Sequence, residues 1–334
     1  MTERLVLGIE TSCDDTAAAV LRGDTVLSSV ISSQLDVHDR FGGVVPELAS
    51  RAHVEAIASV VERALRDAHL DPTNPGLDLV AATHGPGLVG SLLVGLSFGK
   101  AAARRWDVPF VGVNHLAAHL VAPILEGAEE RYPKVVLLVS GGHTELVLVK
   151  SRSNFEVLGA TIDDAAGEAF DKVARFLGLG YPGGPGIDRM AKLGNPEAFA
   201  FPRALKDVPF DFSFSGLKTS VLRAVELNPA AKTEDLCASF QRAVTDVLVQ
   251  KTMAAVAATG AKAVALAGGV AANSELRARL QAACVEQHVP LALAGPDFCT
   301  DNAAMVALAG SIAYDNAGAH PFTLAPEPSL SLKD

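Results

Sequence analysis

The sequence predicts an α/β protein built on a duplicated unit, and three observations carry this. Short apolar runs alternate with longer amphipathic stretches along the chain. Its 334 residues correspond to about two domains, at ~150 residues each. A strand, polar turn, strand pattern occurs twice, over Leu5–Leu21 around Glu10-Thr-Ser-Cys-Asp-Asp15 and over Val135–Val149 around Ser140-Gly-Gly-His-Thr144. Thr16 and Thr144 then correspond, 128 residues apart, which suggests two related hairpins facing each other across a cleft.

Taken in order, the apolar runs predict strands at Leu5–Ile9, Ala17–Leu21, Leu79–Thr83, Phe110–Val113, Val135–Val139, Glu145–Val149 and Ala263–Ala267. The amphipathic stretches predict helices at Val54–Ala68, Val89–Arg105, Ala165–Leu177, Leu236–Ala258, Glu275–Gln287 and Ala303–Asp315. Gly178–Phe214, rich in Gly, Pro and Phe, reads as irregular. The tail from Pro321 carries three prolines and little pattern.

Lys and Arg total 28 against 38 Asp and Glu, a net charge of −10, with 49% hydrophobic, 20% charged and 5% aromatic residues. This balance excludes disorder, a coiled coil and a disulfide scaffold, and argues against gripping nucleic acid by bulk charge. Cys13, Cys237, Cys284 and Cys299 form no CxxC pair, so no thiolate zinc site or redox pair is signalled. Reduced thiols fit a cytoplasmic protein, and Leu5–Ile9 is too short for a signal peptide. Leu79–Gly99 lacks Asp, Glu, Lys and Arg, but its His84, Pro86 and five glycines read as strand, loop and helix rather than a membrane span.

His115-Leu-Ala-Ala-His119 follows a predicted strand and Asn114, a good N-cap. Residues i and i+4 share a helix face with Cβ atoms ~5–6 Å apart, within reach of one metal ion. The positive helix start favours neutral imidazole, the form that ligates. Leu116 stands where a zincin carries its Glu base, so a metalloprotease is disfavoured. A third ligand must come from elsewhere. Asp301, just before the helix at Ala303, is available, but on the residues alone capping that helix is its favoured role.

Gly85-Pro-Gly-Leu-Val-Gly90 matches GxGxxG after a strand, but no acid ends the next strand. The motif therefore reads first as a tight turn with close helix packing. Ser140-Gly-Gly-His-Thr144 offers backbone amides to an anion, or is an ordinary hairpin turn. Gly268-Gly-Val-Ala-Ala-Asn273-Ser274 joins a strand to a helix that Asn273 or Ser274 would cap. Asp171 and Asp188 could hold sugar hydroxyls, though nothing local requires it. Lys218 is an anion candidate beside a helix cap.

Together these segments resemble the tRNA adenosine threonylcarbamoyltransferase family, once named O-sialoglycoprotein endopeptidase. The matching stretches run in order: Gly8-Ile-Glu-Thr-Ser-Cys-Asp14, Gly42 to Arg51, Gly85 to Gly90, His115-xxx-His119, Leu138 to Thr144, Asp163 to Lys172, Tyr181 to Gly184, Phe212 to Thr219, Gly268-Gly-Val and Cys299-Thr-Asp-Asn302. The resemblance implies two related lobes of the actin/sugar-kinase/heat-shock ATPase type around a nucleotide cleft. The N-terminal lobe is expected at 1–114. The C-terminal lobe is expected at 115–334, with an irregular or helical insertion at about 151–235 and the last helix packing back toward the N-terminal lobe. The resemblance also implies a metal on His115, His119 and Asp301. That donor set suits Fe(II), with Zn²⁺ the other candidate. Leu138, Val139, Ser140, Gly141 and Gly142 are expected to approach the substrate, and Asp171, Gly184, Asp188 and Asn273 to surround its nucleoside. The implied reaction moves threonylcarbamoyl from threonylcarbamoyl-AMP to the exocyclic amine of the adenosine beside the anticodon of tRNA, and releases AMP. Asp14 and His143 are the candidate proton acceptors. A smaller paralogous subunit and an ATPase of the same pathway are the implied partners. Two departures stand out: family members often carry Glu at the position of Asp15, and kinase relatives usually have Asp where Ser140 stands, so phosphoryl transfer looks incomplete. The competing functions are a non-catalytic actin-like partner, a metalloprotease and a dinucleotide-dependent oxidoreductase.

Overall fold

The structure is a computed structural model and describes residues 3–333. The chain forms two compact units. The first runs through Glu129 and resumes at Gly295; the second is Glu130–Ala294. These bounds differ from the division expected at 114/115. The helix that follows residue 114, and the last helix of the chain, pack on the first sheet and carry their segments into the first unit.

The first unit contains β1 (Leu5–Glu10), β2 (Asp15–Arg22), β3 (Thr25–Ser33), α1 (Leu35–His38), α2 (Pro46–Asp67), β4 (Leu79–Gly85), α3 (Val89–Trp106), β5 (Phe110–Asn114) and α4 (His115–Val121). The second contains β6 (Lys134–Val139), β7 (Thr144–Ser151), β8 (Asn154–Ala160), α5 (Ala166–Phe176), α6 (Gly183–Ala191), α7 (Ser215–Leu227), α8 (Thr233–Thr259), β9 (Ala263–Ala267), α9 (Ser274–Glu286) and β10 (Leu291–Leu293). The chain then returns to the first unit with α10 (Pro296–Cys299) and α11 (Ala303–Ala317).

The sheets repeat one plan. The first has the order β3-β2-β1-β4-β5 and the second β10-β9-β6-β7-β8. In each, three antiparallel strands form a meander and two further strands add in parallel to its first strand. The order of the second is that of the first read backward, so the duplication suggested by two hairpins extends to whole sheets. Thr16 and Thr144 are both fully buried near the start of the second strand of their meander.

The first sheet is covered on both faces, as its parallel strands require. On one face Val6, Leu21, Leu79 and Val111 pack with Met305 and Leu308 of α11. On the other, Leu7, Ile9 and Val20 pack with Ile57 and Leu65 of α2 and Leu96 of α3. Each such side chain, fully buried, contributes roughly 1.5–3 kcal/mol. Gly8 lets α11 approach the sheet. A Cβ there would lie 2.2 Å from the Ala303 carbonyl oxygen, which belongs to a backbone that cannot rotate away.

The predicted strands all form, within a residue or two of their ends, and β3, β8 and β10 are additional. α1, α7 and α10 form outside the predicted helix ranges, and two further helices differ from expectation for local reasons. α2 starts at Pro46, eight residues before Val54, because proline suits the first helical position and the extended Val45 precedes it. α6 forms inside the stretch read as irregular. Its glycines and Pro185 occupy the first turn, where a missing N–H costs nothing, and Asp171 Oδ1 accepts the Gly183 N–H at 2.7 Å. Leu79–Gly99 is strand, turn and helix, and among the described residues no helix is long and apolar enough to cross a membrane.

Candidate metal centre

α4 begins where β5 ends. Asn114 caps it, its side-chain oxygen accepting the Leu116 and Ala117 N–H groups. This sets His115 and His119 one turn apart on a buried face, with ring centroids 4.7 Å apart. Asp301 comes from the loop before α11. Asn302, not Asp301, caps that helix by accepting the Met305 N–H, which leaves the Asp301 carboxylate to the histidines. Its Oδ1 lies 3.4 Å from His115 Nε2 and 3.2 Å from His119 Nε2. One ligand atom from each of the three residues lies within 4.8 Å of the others.

Glu10, which the sequence reading gave no role, completes the arrangement. It ends β1 and is fully buried. His115 Nδ1 donates to its Oε2 at 2.9 Å and Thr83 Oγ1 donates to the same oxygen at 2.6 Å, while the Ser12 N–H donates to Oε1. A carboxylate on Nδ1 fixes the tautomer and turns Nε2 toward the ligand position.

The electrostatics fit a cation. Burial opposes charge on His115, but Asp301 and Glu10 outweigh it and hold its pKa well above the ordinary value. Burial would raise both carboxylates, yet the His115 charge keeps Glu10 and Asp301 below their usual range. Burial lowers His119, whose ring nitrogens make no hydrogen bond despite being buried. Two carboxylates against one imidazolium leave the cluster net negative, and an unbonded imidazole faces it. A divalent cation would satisfy both conditions, so the residues fit one resident metal.

Asp14 and Asp15 stand beside this cluster in sequence and differ in environment. Asp14 is half-buried. Asp15 is raised to about 6, first by burial and then by the charges of Asp14, Asp301 and Glu10, against a hydrogen bond to Ser33 that lowers it. Its Oδ1 is buried without a hydrogen-bond partner. A carboxyl raised on folding is stabilised protonated, so stability is full below pH ~4 and is lost as pH rises through about 6. In chelator-treated protein, Asp15→Asn is therefore expected to raise unfolding free energy above pH 7 by about 1–3 kcal/mol. The gain should vanish near pH 4, as read by urea unfolding at the two pH values.

The glycine motif is a packing device. The Leu88 N–H donates to the Ser12 carbonyl at 2.8 Å. A Cβ on Gly87 would lie 2.5 Å from that carbonyl oxygen, and one on Gly95 2.2 Å from Thr11 Oγ1. These glycines bring α3 against the β1–β2 turn.

The other sequence-predicted residues lie in the second unit. Leu138 and Val139 are buried in β6. The turn after them closes on itself: Ser140 N–H donates to the His143 carbonyl and His143 N–H to Ser140 Oγ. Gly141 and Gly142 are left exposed at its tip, with His143 half-buried. Thr144 Oγ1 accepts the Ala166 N–H, tying the turn to α5. Asp171 holds the start of α6, as above. Gly184 lies in the first turn of α6 with nothing within 4 Å of where a Cβ would stand. Both Asp188 oxygens accept from Ser274 Oγ, and Lys192 pairs with Asp188 at 3.0 Å. Asn273 caps α9 and donates to Gln241 Oε1.

The duplicated α/β architecture, two five-stranded sheets of one plan, has the fold of the actin-like ATPases. The crystal structure of HypF from T. kodakarensis superposes with a TM-score of 0.63 over 93% of this chain and 48% of that one, at 16% identity, a likeness of fold alone. The chain belongs to the tRNA N6-adenosine threonylcarbamoyltransferase family, whose profile matches residues 25–308. A protein of that name from Symbiobacterium thermophilum is 51% identical over 99% of this chain and 98% of its own length. Another from Salinibacter ruber is 54% identical over 98% of this chain and 100% of its own.

Proposed function

We propose that the chain is a tRNA-modifying acyltransferase. It moves threonylcarbamoyl from threonylcarbamoyl-AMP to the N6 amine of the adenosine beside the anticodon. The C–O bond to the adenylate phosphate breaks, a C–N bond to N6 forms, AMP leaves, and N6 gives up one proton. The observation that carries the reading is the Glu10-backed centre of His115, His119 and Asp301 in a chain of this family. The family name supplies the tRNA, and the donor set favours Fe(II) over Zn²⁺. A bound divalent cation supplies Lewis acidity toward the carbamoyl or threonyl oxygens.

The chain's own groups divide the remaining tasks. Glu10 holds the His115 tautomer. The Leu138–Gly142 segment, Asp171, Gly184, Asp188 and Asn273 are assigned to the adenylate. Two of the turn's amides are spent internally, so Gly141 and Gly142 are the donors left to meet developing negative charge. An exocyclic amine is a weak nucleophile, and its positioning contributes heavily. Asp14 and His143 are the sequence candidates for accepting the N6 proton. Asp15 joins them, because a carboxyl raised to about 6 is a better-matched base than an ordinary one.

A net charge of −10 repels tRNA at long range. We assign the missing attraction to local basic residues, with Arg104 and Arg105 in the first unit and Lys218 in the second as the candidates, or to partner proteins, a smaller paralogous subunit and an ATPase, in the cytoplasm. The test is transfer of label from preformed threonylcarbamoyl-adenylate to unmodified tRNA, with those partners present. One AMP released per modified adenosine is the expected result. No transfer by folded, metal-loaded protein would sink the reading in favour of a non-catalytic assembly partner.

A further inference from the structure

The C-terminal tail has neither helix nor strand, yet it is bound along its length to the first unit. The His320 N–H donates to the Phe110 carbonyl at 2.8 Å, and the Gly112 N–H returns to His320 Nδ1 at 3.0 Å. The Glu327 N–H donates to the His84 carbonyl at 2.7 Å. Lys100 Nζ donates to the Leu324 carbonyl. Two glycines make room for the tail. A Cβ on Gly112 would lie 2.2 Å from Leu324 Cδ2, and one on Gly85 would lie 2.0 Å from the Glu327 carbonyl oxygen. The tail then reaches Asn114, whose Nδ2 donates to the Ser331 carbonyl at 2.9 Å.

That last bond sits at a consequential place. Asn114 uses its other side-chain atom, Oδ1, to cap α4. With Nδ2 held by Ser331, the amide cannot turn over, so the acceptor faces the helix. α4 has seven residues and begins at His115 itself. A helix this short has little stability of its own, and its first N–H groups depend on outside partners.

We propose that the segment from His320 to Leu332 is a strap that positions the metal-binding helix, acting through Asn114. Asn114 is a positioning residue, and the inference rests on the metal-centre reading above. A slack strap lets the Asn114 amide turn over and α4 shift, which moves His115 Nε2 and His119 Nε2 away from Asp301.

The test measures Zn²⁺ affinity of the full chain by calorimetry against a competing chelator, with hydrogen exchange at the Leu116 and Ala117 amides as a readout independent of metal and activity. Asn114→Asp keeps a capping oxygen but cannot donate to Ser331. It is expected to lower affinity about tenfold, in the range of supporting residues around metal ligands. Its added negative charge alone would favour a cation, so a loss cannot be electrostatic. His320→Ala/Leu324→Ala, made in the strap and remote from the ligands, is expected to lower affinity similarly and to speed exchange at the two amides. Combining the strap and Asn114 changes should weaken binding no further than either, because they act along one route. If the strap double variant fails to fold, Lys100→Met removes only the ammonium on the Leu324 carbonyl and replaces it. Wild-type affinity in Asn114→Asp, or losses that multiply in the combined variant, would overturn the strap while leaving the metal centre intact. No Zn²⁺ binding by the wild type would overturn the metal reading and the strap with it.

Discussion

His115→Ala/His119→Ala is expected to abolish label transfer from threonylcarbamoyl-adenylate to tRNA, to below one thousandth of the wild-type rate, and to reduce bound metal to background. Both rings enter the same cluster with Asp301, and two of three protein ligands are too many to lose. The fold should survive. Both side chains are buried, but removing His119 also removes a ring whose nitrogens have no hydrogen-bond partner, and removing His115 takes away an imidazolium held by Glu10, Asp301 and a 3.3 Å contact with Ser12 Oγ. Leaving Glu10 buried opposite alanine is the costly part, at several kcal/mol for an uncompensated carboxylate if it stays charged. Glu10 should instead take up a proton. The control is therefore metal content by elemental analysis beside circular dichroism. A double variant that retains full transfer while empty of metal would remove the centre from the reaction.

The sequence made the local half of this site readable and hid the rest. His115 and His119 are four residues apart on one short helix, so their common face follows from helical geometry alone. Asp301 was visible only as one of two roles. The structure decides between them because Asn302, the next residue, takes the cap. Glu10 carried no local signal, since its partners His115 and Thr83 lie 105 and 73 residues away. The fold shows the same division. Central strands are uniformly buried and read as apolar runs, as in β1 and β6. The strands missed are β3, β8 and β10, and each is an edge of its sheet. Edge strands are half-exposed and tolerate Ser, Thr and Asn, as in Thr25–Ser33 and Asn154–Ala160. α6 was hidden for another reason. Gly183 and Gly186 are there for contact, since a Cβ on Gly183 would lie 2.7 Å from the Asp171 Cα and one on Gly186 3.1 Å from the Leu179 carbonyl oxygen, and local propensity reads such glycines as loop.

Glu10→Gln is expected to lower metal affinity 10–100-fold, the usual cost of losing a carboxylate behind a ligating histidine. Transfer should fall in proportion at limiting metal and recover partly when metal is in excess. The substitution keeps the shape of the side chain and an oxygen able to accept from Ser12 or Thr83. What it removes is the charge that favours a donating Nδ1–H on His115. A glutamine amide can present either N–H or C=O to that nitrogen, so the tautomer is no longer fixed, and Nε2 spends part of its time protonated. The metal-free protein should respond in the opposite sense. With one carboxylate gone, the cluster no longer holds His115 so far above its ordinary value, and protons compete less strongly with the cation. In the wild type, affinity should therefore fall as pH falls, because the cation must displace the His115 proton. In Glu10→Gln the same slope should be shallower. Metal titrations at pH 6 and pH 8 separate the two effects: lower affinity with a flattened pH dependence places Glu10 behind His115 as an orienting base. Unchanged affinity at both pH values would mean that Glu10 only ties β1 to β4 through Thr83.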